Sequence, residues 1–204
     1  MDRSIKVNNE ITNKNMKELR ESEDYKKATI NRCLDEFEFI RKYIKKDNVI
    51  LDIGVRDGSW LDVLKSNGYE NLSGMDINEE SIKECIEKGY NCILEDARYI
   101  KNEEEIYDLI TILHTLEHLE NPQLAIDNIY KILKKNGMVF VEVPLQKWED
   151  PELWGHFNCF ANENEVFNLF DSKKFRLIKI DKMDPPSKKP WFRCLFQKLE
   201  NSND

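Results

Sequence analysis

The segment Leu51-Asp52-Ile53-Gly54-Val55-Arg56-Asp57-Gly58 restricts what this chain can become more than any other. An apolar run, Val49–Ile53, ends in a glycine-bearing turn, and Trp60, Leu61 and Leu64 then recur on one face of a helix. Glycine in that turn lets a ligand approach the backbone at the carboxyl end of a sheet, because it takes dihedrals that other residues avoid and has no side chain in the way. The alternation continues along the chain. Strand-like Asn71–Ile77 precedes helical Glu79–Lys88, and Asn91–Leu94 makes a third strand. Tyr107–His114 is a fourth, with Leu109, Ile110, Ile112 and Leu113 nearly continuous, as expected of a central strand covered on both faces. Pro122 opens a helix running through Leu133, Gly137 ends a turn, and Met138–Val143 is a fifth strand stopped by Pro144. Strand–helix alternation of this kind predicts an α/β fold with a parallel sheet and right-handed crossovers.

The flanks read differently. Residues 1–46 are polar and charged, with Ile30, Leu34, Phe37, Ile40 and Ile44 at helical spacing, so a helical N-terminal extension precedes a main domain at 47–200. After Pro144 comes a loop with Trp148, Trp154 and His156, then a helix near Glu163–Phe170. Arg176–Ile180 and Trp191–Phe196 are strand-like and close enough to pair antiparallel. The net charge of -8 would repel a polyanion, so nucleic acid is disfavoured as a partner. The lysines between Lys173 and Lys198 are interrupted by Asp181 and Asp184, as on a solvated surface. The five cysteines form no Cys-x-x-Cys pair, against a disulfide framework or a structural zinc. No apolar segment is long enough for a signal peptide or a membrane span, so a cytoplasmic protein with no membrane partner is expected.

Asp76 ends the second strand, at a distance from Gly58 suited to accepting hydrogen bonds from ribose hydroxyls. Nicotinamide and adenosylmethionine enzymes share this geometry, so charge must decide. A dinucleotide site wants a second glycine for close approach of the pyrophosphate, and here Arg56 stands in its place. The carboxylate of Asp52 would repel a pyrophosphate, but it suits the cationic amino group and sulfonium of S-adenosylmethionine.

The block resembles the first motif of class I, Rossmann-like S-adenosylmethionine-dependent methyltransferases, and Asp76 the acidic residue of their second. Glu95-Asp96-Ala97 is similar to the Gly-Asp-Ala that places an acid beside the adenine amino group. Tyr107-Asp108-Leu109-Ile110 with Leu113-His114-Thr115-Leu116-Glu117-His118-Leu119 resembles the fourth motif, and Ile132-Leu133-Lys134-Lys135-Asn136-Gly137-Met138 the Leu-Lys-Pro-Gly-Gly turn. The motifs occur in family order over residues 48–145, and His156-Phe157-Asn158-Cys159-Phe160 extends the likeness to about 170. The resemblance implies a seven-stranded, mostly parallel sheet with helices on both faces, its last two strands forming an antiparallel edge. It implies S-adenosyl-L-methionine as cofactor, held by Asp52, Gly54, Gly58, Asp76, Ile77, Asp96, Ala97 and His114.

Methyl transfer to an oxygen, nitrogen or carbon of a small molecule is the expected activity, with a protein acceptor also open. His156 is the candidate base, while Glu117 and His118 organise the loop after the fourth strand. Some ubiquinone-pathway O-methyltransferases hold a divalent metal through Glu-x-x-Glu-His at this place, which makes His114, Glu117 and His118 the metal alternative; the preferred reading assigns no metal. The same residues match the His-x-x-Glu-His of a zinc peptidase class, but that chemistry needs both ligands on one helix and this stretch begins at a strand end. Trp148, Trp154 and Phe157 either wall an acceptor pocket or pack under the sheet edge. Arg56 and Glu95 depart from the family glycines, and Arg56 would be strained by about 1–2 kcal/mol if its position requires a positive φ. The rival readings are a protein of this fold that binds cofactor or a partner without catalysis, and a nicotinamide oxidoreductase.

Overall fold

A computed structural model describes residues 22–101, 104–145, 156–183 and 190–200. In chain order the elements are α1 (Glu23–Ile40), β1 (Ile50–Ile53), α2 (Ser59–Ser66), β2 (Leu72–Asp76), α3 (Glu79–Glu87), β3 (Asn91–Leu94), β4 (Tyr107–Leu113), α4 (Pro122–Ile132), β5 (Leu133–Pro144), α5 (Glu163–Phe167), β6 (Phe175–Met183) and β7 (Trp191–Lys198). They build one seven-stranded sheet in the order β3-β2-β1-β4-β5-β7-β6. The first five strands are parallel, and β7 inserts antiparallel between β5 and β6. The expected α/β sheet with an antiparallel C-terminal edge is therefore the fold. No helix among the described residues is long and apolar enough to cross a membrane.

Alternation along the central strands sends successive side chains to opposite faces. Leu51, Ile53, Ile110, Ile112, Val139 and Val141 pack on one face with Ile126 and Ile129 of α4. Ile50, Leu109 and Phe140 pack on the other with Trp60 and Leu61 of α2 and Phe37 and Ile40 of α1. Asp52, Thr111 and Glu142 share the parity of this second set, so their polar groups enter the layer between the sheet and α1–α2.

The N-terminal helix departs from the sequence reading in its phase. Ile30 and Leu34, expected on the buried stripe, are exposed, while Cys33, Glu36, Phe37 and Ile40 are buried. The i, i+3, i+4, i+7 stripe is present but contains a glutamate, which hydrophobic periodicity by itself rejects. Ser22 caps the helix by accepting from the Tyr25 amide, and Phe39 stacks on Phe140 with ring centroids 5.3 Å apart. The expected turn at Lys134–Gly137 is also different. β5 begins at Leu133 and pairs with β4 through a register shift between Tyr107 and Leu109. Asn136, at φ +62°, absorbs the irregularity, since asparagine tolerates the left-handed region better than most residues.

If α1 belongs to the core, Phe39→Ala should destabilise the protein by about 3 kcal/mol, as expected for emptying a buried aromatic site. A detachable arm would lose almost nothing. The midpoint of urea unfolding at unchanged slope distinguishes the two.

Candidate functional site

The parallel order β3-β2-β1-β4 puts the loops after these strands at one edge of the sheet, where open α/β folds bind ligands. The turn after β1 is held by its neighbours. The amides of Gly54 and Val55 both donate to Met75 O, at 2.7 and 3.1 Å. Gly54, Arg56 and Gly58 have φ of +79°, +49° and +74°. A Cβ on Gly54 would collide with Thr115 Oγ1, so the β1 and β4 loops approach each other only because this residue is glycine. The Arg56 amide donates to Asp76 Oδ2 at 2.9 Å, and the Asn78 amide to Asp76 Oδ1 at 2.9 Å. One carboxylate thus clamps the β1 turn and the start of α3. Arg56 does occupy the left-handed region. Its guanidinium donates to the Tyr25 hydroxyl of α1 at 3.0 Å and lies 3.5 Å from Asp57.

Ile77, next to Asp76, is 69% exposed at this edge. The Glu95 amide donates to Asp76 O at 3.0 Å, bringing the β3 loop alongside. Asp96 accepts from the Arg98 guanidinium at 2.7 Å and from the Arg98 amide at 2.9 Å. These hydrogen bonds hold its carboxyl below the ordinary carboxylate range. Ala97 is buried, and its carbonyl accepts from Asn128 at 3.1 Å.

Asp52 lies underneath the turn, only 4% exposed. Thr111 Oγ1 donates to its Oδ1 at 2.7 Å and accepts from Trp60 Nε1 at 3.1 Å. Burial pushes its carboxyl up to about 8, with the Thr111 hydrogen bond opposing and Glu36 and Asp76 adding to the rise. In the unliganded protein Asp52 is therefore an acid poised near neutrality, and a cation arriving above it would draw the proton out.

The histidines divide into two environments. His114, at φ +50°, places Nε2 3.0 Å from Glu142 Oε1 and Nδ1 3.7 Å from Glu117 Oε1. Burial opposes its charge, but the hydrogen bonds to Glu117 and Glu142 win and raise it to about 9. It therefore holds its proton at neutral pH while the cluster is empty. His118 and His156 meet edge to face, with ring centroids 4.7 Å apart. Burial pushes His156 below the ordinary imidazole range, with His118 and His114 adding and Glu117 opposing. The amides of Phe157 and Asn158 both donate to Glu117 O, at 2.8 and 3.0 Å, which ties the His156 loop to the β4 loop. Phe157 is exposed, whereas Trp148 and Trp154 lie outside the described residues.

The metal alternative is regrouped by the fold. Glu117 gathers with His118 and His156, while His114 gathers with Glu36 and Glu142. Sequence reasoning missed Glu36, Glu142, Arg193, Thr111 and Tyr25. Glu142 and Arg193 did carry a signal, each being the one charge within the apolar runs Met138–Val143 and Trp191–Phe196. Their pairing was invisible, because it depends on β7 lying beside β5.

Two substitutions test the turn. Arg56→Gly should leave stability unchanged or raise it by up to about 1 kcal/mol, since relief of strain of roughly 1–2 kcal/mol is offset in part by the freer unfolded glycine. Gly54→Ala should destabilise by about 2 kcal/mol or more through strain and collision with Thr115. Thermal unfolding without ligand reads both.

Residues 25–178 match a family model described as a methyltransferase domain. Among curated relatives, a tRNA (carboxymethyluridine(34)-5-O)-methyltransferase of Arabidopsis thaliana is 31% identical over 109 residues, covering 52% of this chain and 26% of that protein. The juvenile hormone acid O-methyltransferase of Bombyx mori is 28% identical over 128 residues, covering 58% of this chain and 46% of that one. The chain thus spans less than half the length of these relatives. Among solved structures, an N-methyltransferase of Bradyrhizobium japonicum in complex with S-adenosylhomocysteine aligns at a TM-score of 0.67 with 18% identity. That alignment covers 90% of this chain and 91% of that one, a likeness of fold. With its motifs in order on this sheet and three quarters of its length inside the family model, the chain belongs to the methyltransferase domain family, in its class I, S-adenosylmethionine-dependent branch.

Proposed function

We propose that this protein transfers the methyl group of S-adenosylmethionine to a nucleophilic oxygen, nitrogen or carbon of a small molecule. The observation that carries this reading is the clamp at the sheet edge, where Asp76 holds a turn of three positive-φ residues beside exposed Ile77. Gly54 and Gly58 keep that turn clear of side chains, so a ligand can lie against its backbone. Asp76 offers carboxylate lone pairs to ribose hydroxyls, and Ile77 with Ala97 offers apolar cover to adenine. Asp96, drawn toward Arg98, meets the adenine amino group. Asp52 and the backbone around His114 face the amino-acid end. The cofactor supplies an electrophilic methyl carbon on a positively charged sulfur. The acceptor's lone pair forms the new bond as the carbon–sulfur bond breaks and its electrons return to sulfur. Holding both reactants in line supplies much of the rate.

His156 is the base for acceptors that must lose a proton. Its lowered pKa keeps it neutral near pH 7, and Glu117 and His118 position it. A small acceptor is favoured by the net charge of -8, which an RNA substrate would have to overcome locally. The Arabidopsis relative is named for a tRNA substrate, so RNA belongs in any acceptor panel. The five cysteines are free and buried, which suits a reducing compartment such as the cytoplasm. A non-catalytic binding role is the second reading, favoured by Arg56, whose side chain is bound to Tyr25 at the cofactor turn.

S-adenosylhomocysteine should bind and raise Tm, and Asp76→Ala should weaken binding at least about tenfold through loss of charged hydrogen bonds. Equal affinity of variant and parent by calorimetry removes Asp76 from the site. The pH dependence has a definite sign. Asp52 holds its proton below about pH 8 when the site is empty and loses it to solvent when a cation binds, so affinity should strengthen by up to about tenfold per pH unit as pH rises toward 8 and level off above. Asp52→Asn should abolish that dependence.

A panel of phenol, carboxylic acid, amine and RNA acceptors, followed by release of S-adenosylhomocysteine, tests turnover. With an acceptor that must lose a proton, His156→Ala should lower kcat by about 10²-fold or more while cofactor affinity stays the same. Unchanged turnover in that variant removes His156 as the base.

A further inference from the structure

Beneath the site, Glu36 of α1, His114 at the end of β4 and Glu142 of β5 each bring one ligating atom within 4.8 Å of the other two. Glu36 is 1% exposed and Glu142 is fully buried. Neither carboxylate oxygen of Glu36 has a hydrogen-bond partner, nor does Oε2 of Glu142. Arg32 Nε lies 3.3 Å from Glu36 Oε1 and Arg193 Nε 2.9 Å from Glu142 Oε2, but both of these N–H groups also lack a hydrogen bond. The contacts are electrostatic and poorly directed. Buried carboxylate oxygens without donors are rare and costly in native proteins, and a bound ion is one way to complete them.

We propose that Glu36, His114 and Glu142 form a binding site for a first-row divalent cation. One imidazole and two carboxylates are a donor set that Mn2+, Fe2+ and Zn2+ accept. His114 is oriented for the role, with Nε2 toward Glu142 and Nδ1 toward Glu117, which would serve as the outer-sphere carboxylate; an arriving ion takes the place of the Nε2 proton, which leaves to solvent. Charge points the same way. Among the described residues, Asp35, Glu36, Glu117 and Glu142 outnumber Arg32 and Arg193 by two, and His114 offsets one of these charges while it holds its proton; a divalent ion that displaces this proton cancels the excess. The partial exposure of His114 gives the ion a way in. The site is separate from the set Glu117, His118 and His156 beside the acceptor. Its ligands come from α1, β4 and β5, so a bound ion would fasten the N-terminal helix to the ends of the two central strands.

The proposal goes beyond methyl transfer and does not depend on it, so its test uses no cofactor. The full chain, stripped with a chelator, is dialysed against Mn2+ alone, and bound ion is counted. One ion per chain is expected. Glu36→Gln, which preserves shape, should weaken binding at least about tenfold, since losing a direct ligand costs no less than losing an outer-sphere partner, whereas His156→Ala should leave it unchanged. Line broadening by Mn2+ in the isotopically labelled parent protein locates the ion without any substitution. Greatest broadening at the amides of Glu36 and Glu142 supports the site. Broadening centred on His118 and His156, loss of binding in His156→Ala with retention in Glu36→Gln, or no bound Mn2+ at all would each overturn it.

Discussion

Glu142 and Arg193 face each other across β5 and β7 with no access to water, and much of the molecule is arranged around that pair. A buried ion pair adds little net stability over well-packed apolar groups, but either member left alone is strongly destabilising. Each therefore requires further partners. Arg193 reaches Asp35 of α1 at 2.5 Å and lies over the Trp191 ring, 3.7 Å from its centroid. Glu142 turns its other oxygen to His114. The N-terminal helix, the antiparallel edge and the end of β4 are bound into one unit by charges that cannot be separated cheaply.

The strand alternation then sorts the chemistry. Because Asp52, Thr111 and Glu142 share one parity on neighbouring strands, their polar groups enter a single layer beneath α1 and α2. The loops proposed to receive the cofactor lie at the carboxyl edge, where Asp76 and the Gly54 turn meet. The visible ligand surface and the buried polar layer touch at Asp52 and His114. A charge bound at either of the proposed sites would act electrostatically on the other.

The same side-chain type is used for two purposes within this small region. His114 is flanked by two glutamates and carries a proton at neutral pH, whereas His156 is desolvated, has another histidine as neighbour, and sheds its own. Environments that push like groups apart are how one fold keeps a protonated imidazole beside another able to accept a proton.

Much of the fold was legible in the sequence. The alternation from Val49 to Pro144 is a local property, since each strand and helix carries its own period and its own stop signal, and glycine marks the turn where the backbone must be approached. The cofactor edge follows from it, because parallel strands place their following loops at the same end. The phase of α1 and the network of Glu36, Glu142 and Arg193 were not legible. A buried glutamate looks like a surface residue until its cation is known, and here the cation arrives from a strand 51 positions further on from Glu142, through a sheet order that no local pattern encodes. Local periodicity determined the elements and the ligand edge. The pairing of charges without water was decided only by tertiary structure, because burial and proximity are properties of the assembled sheet.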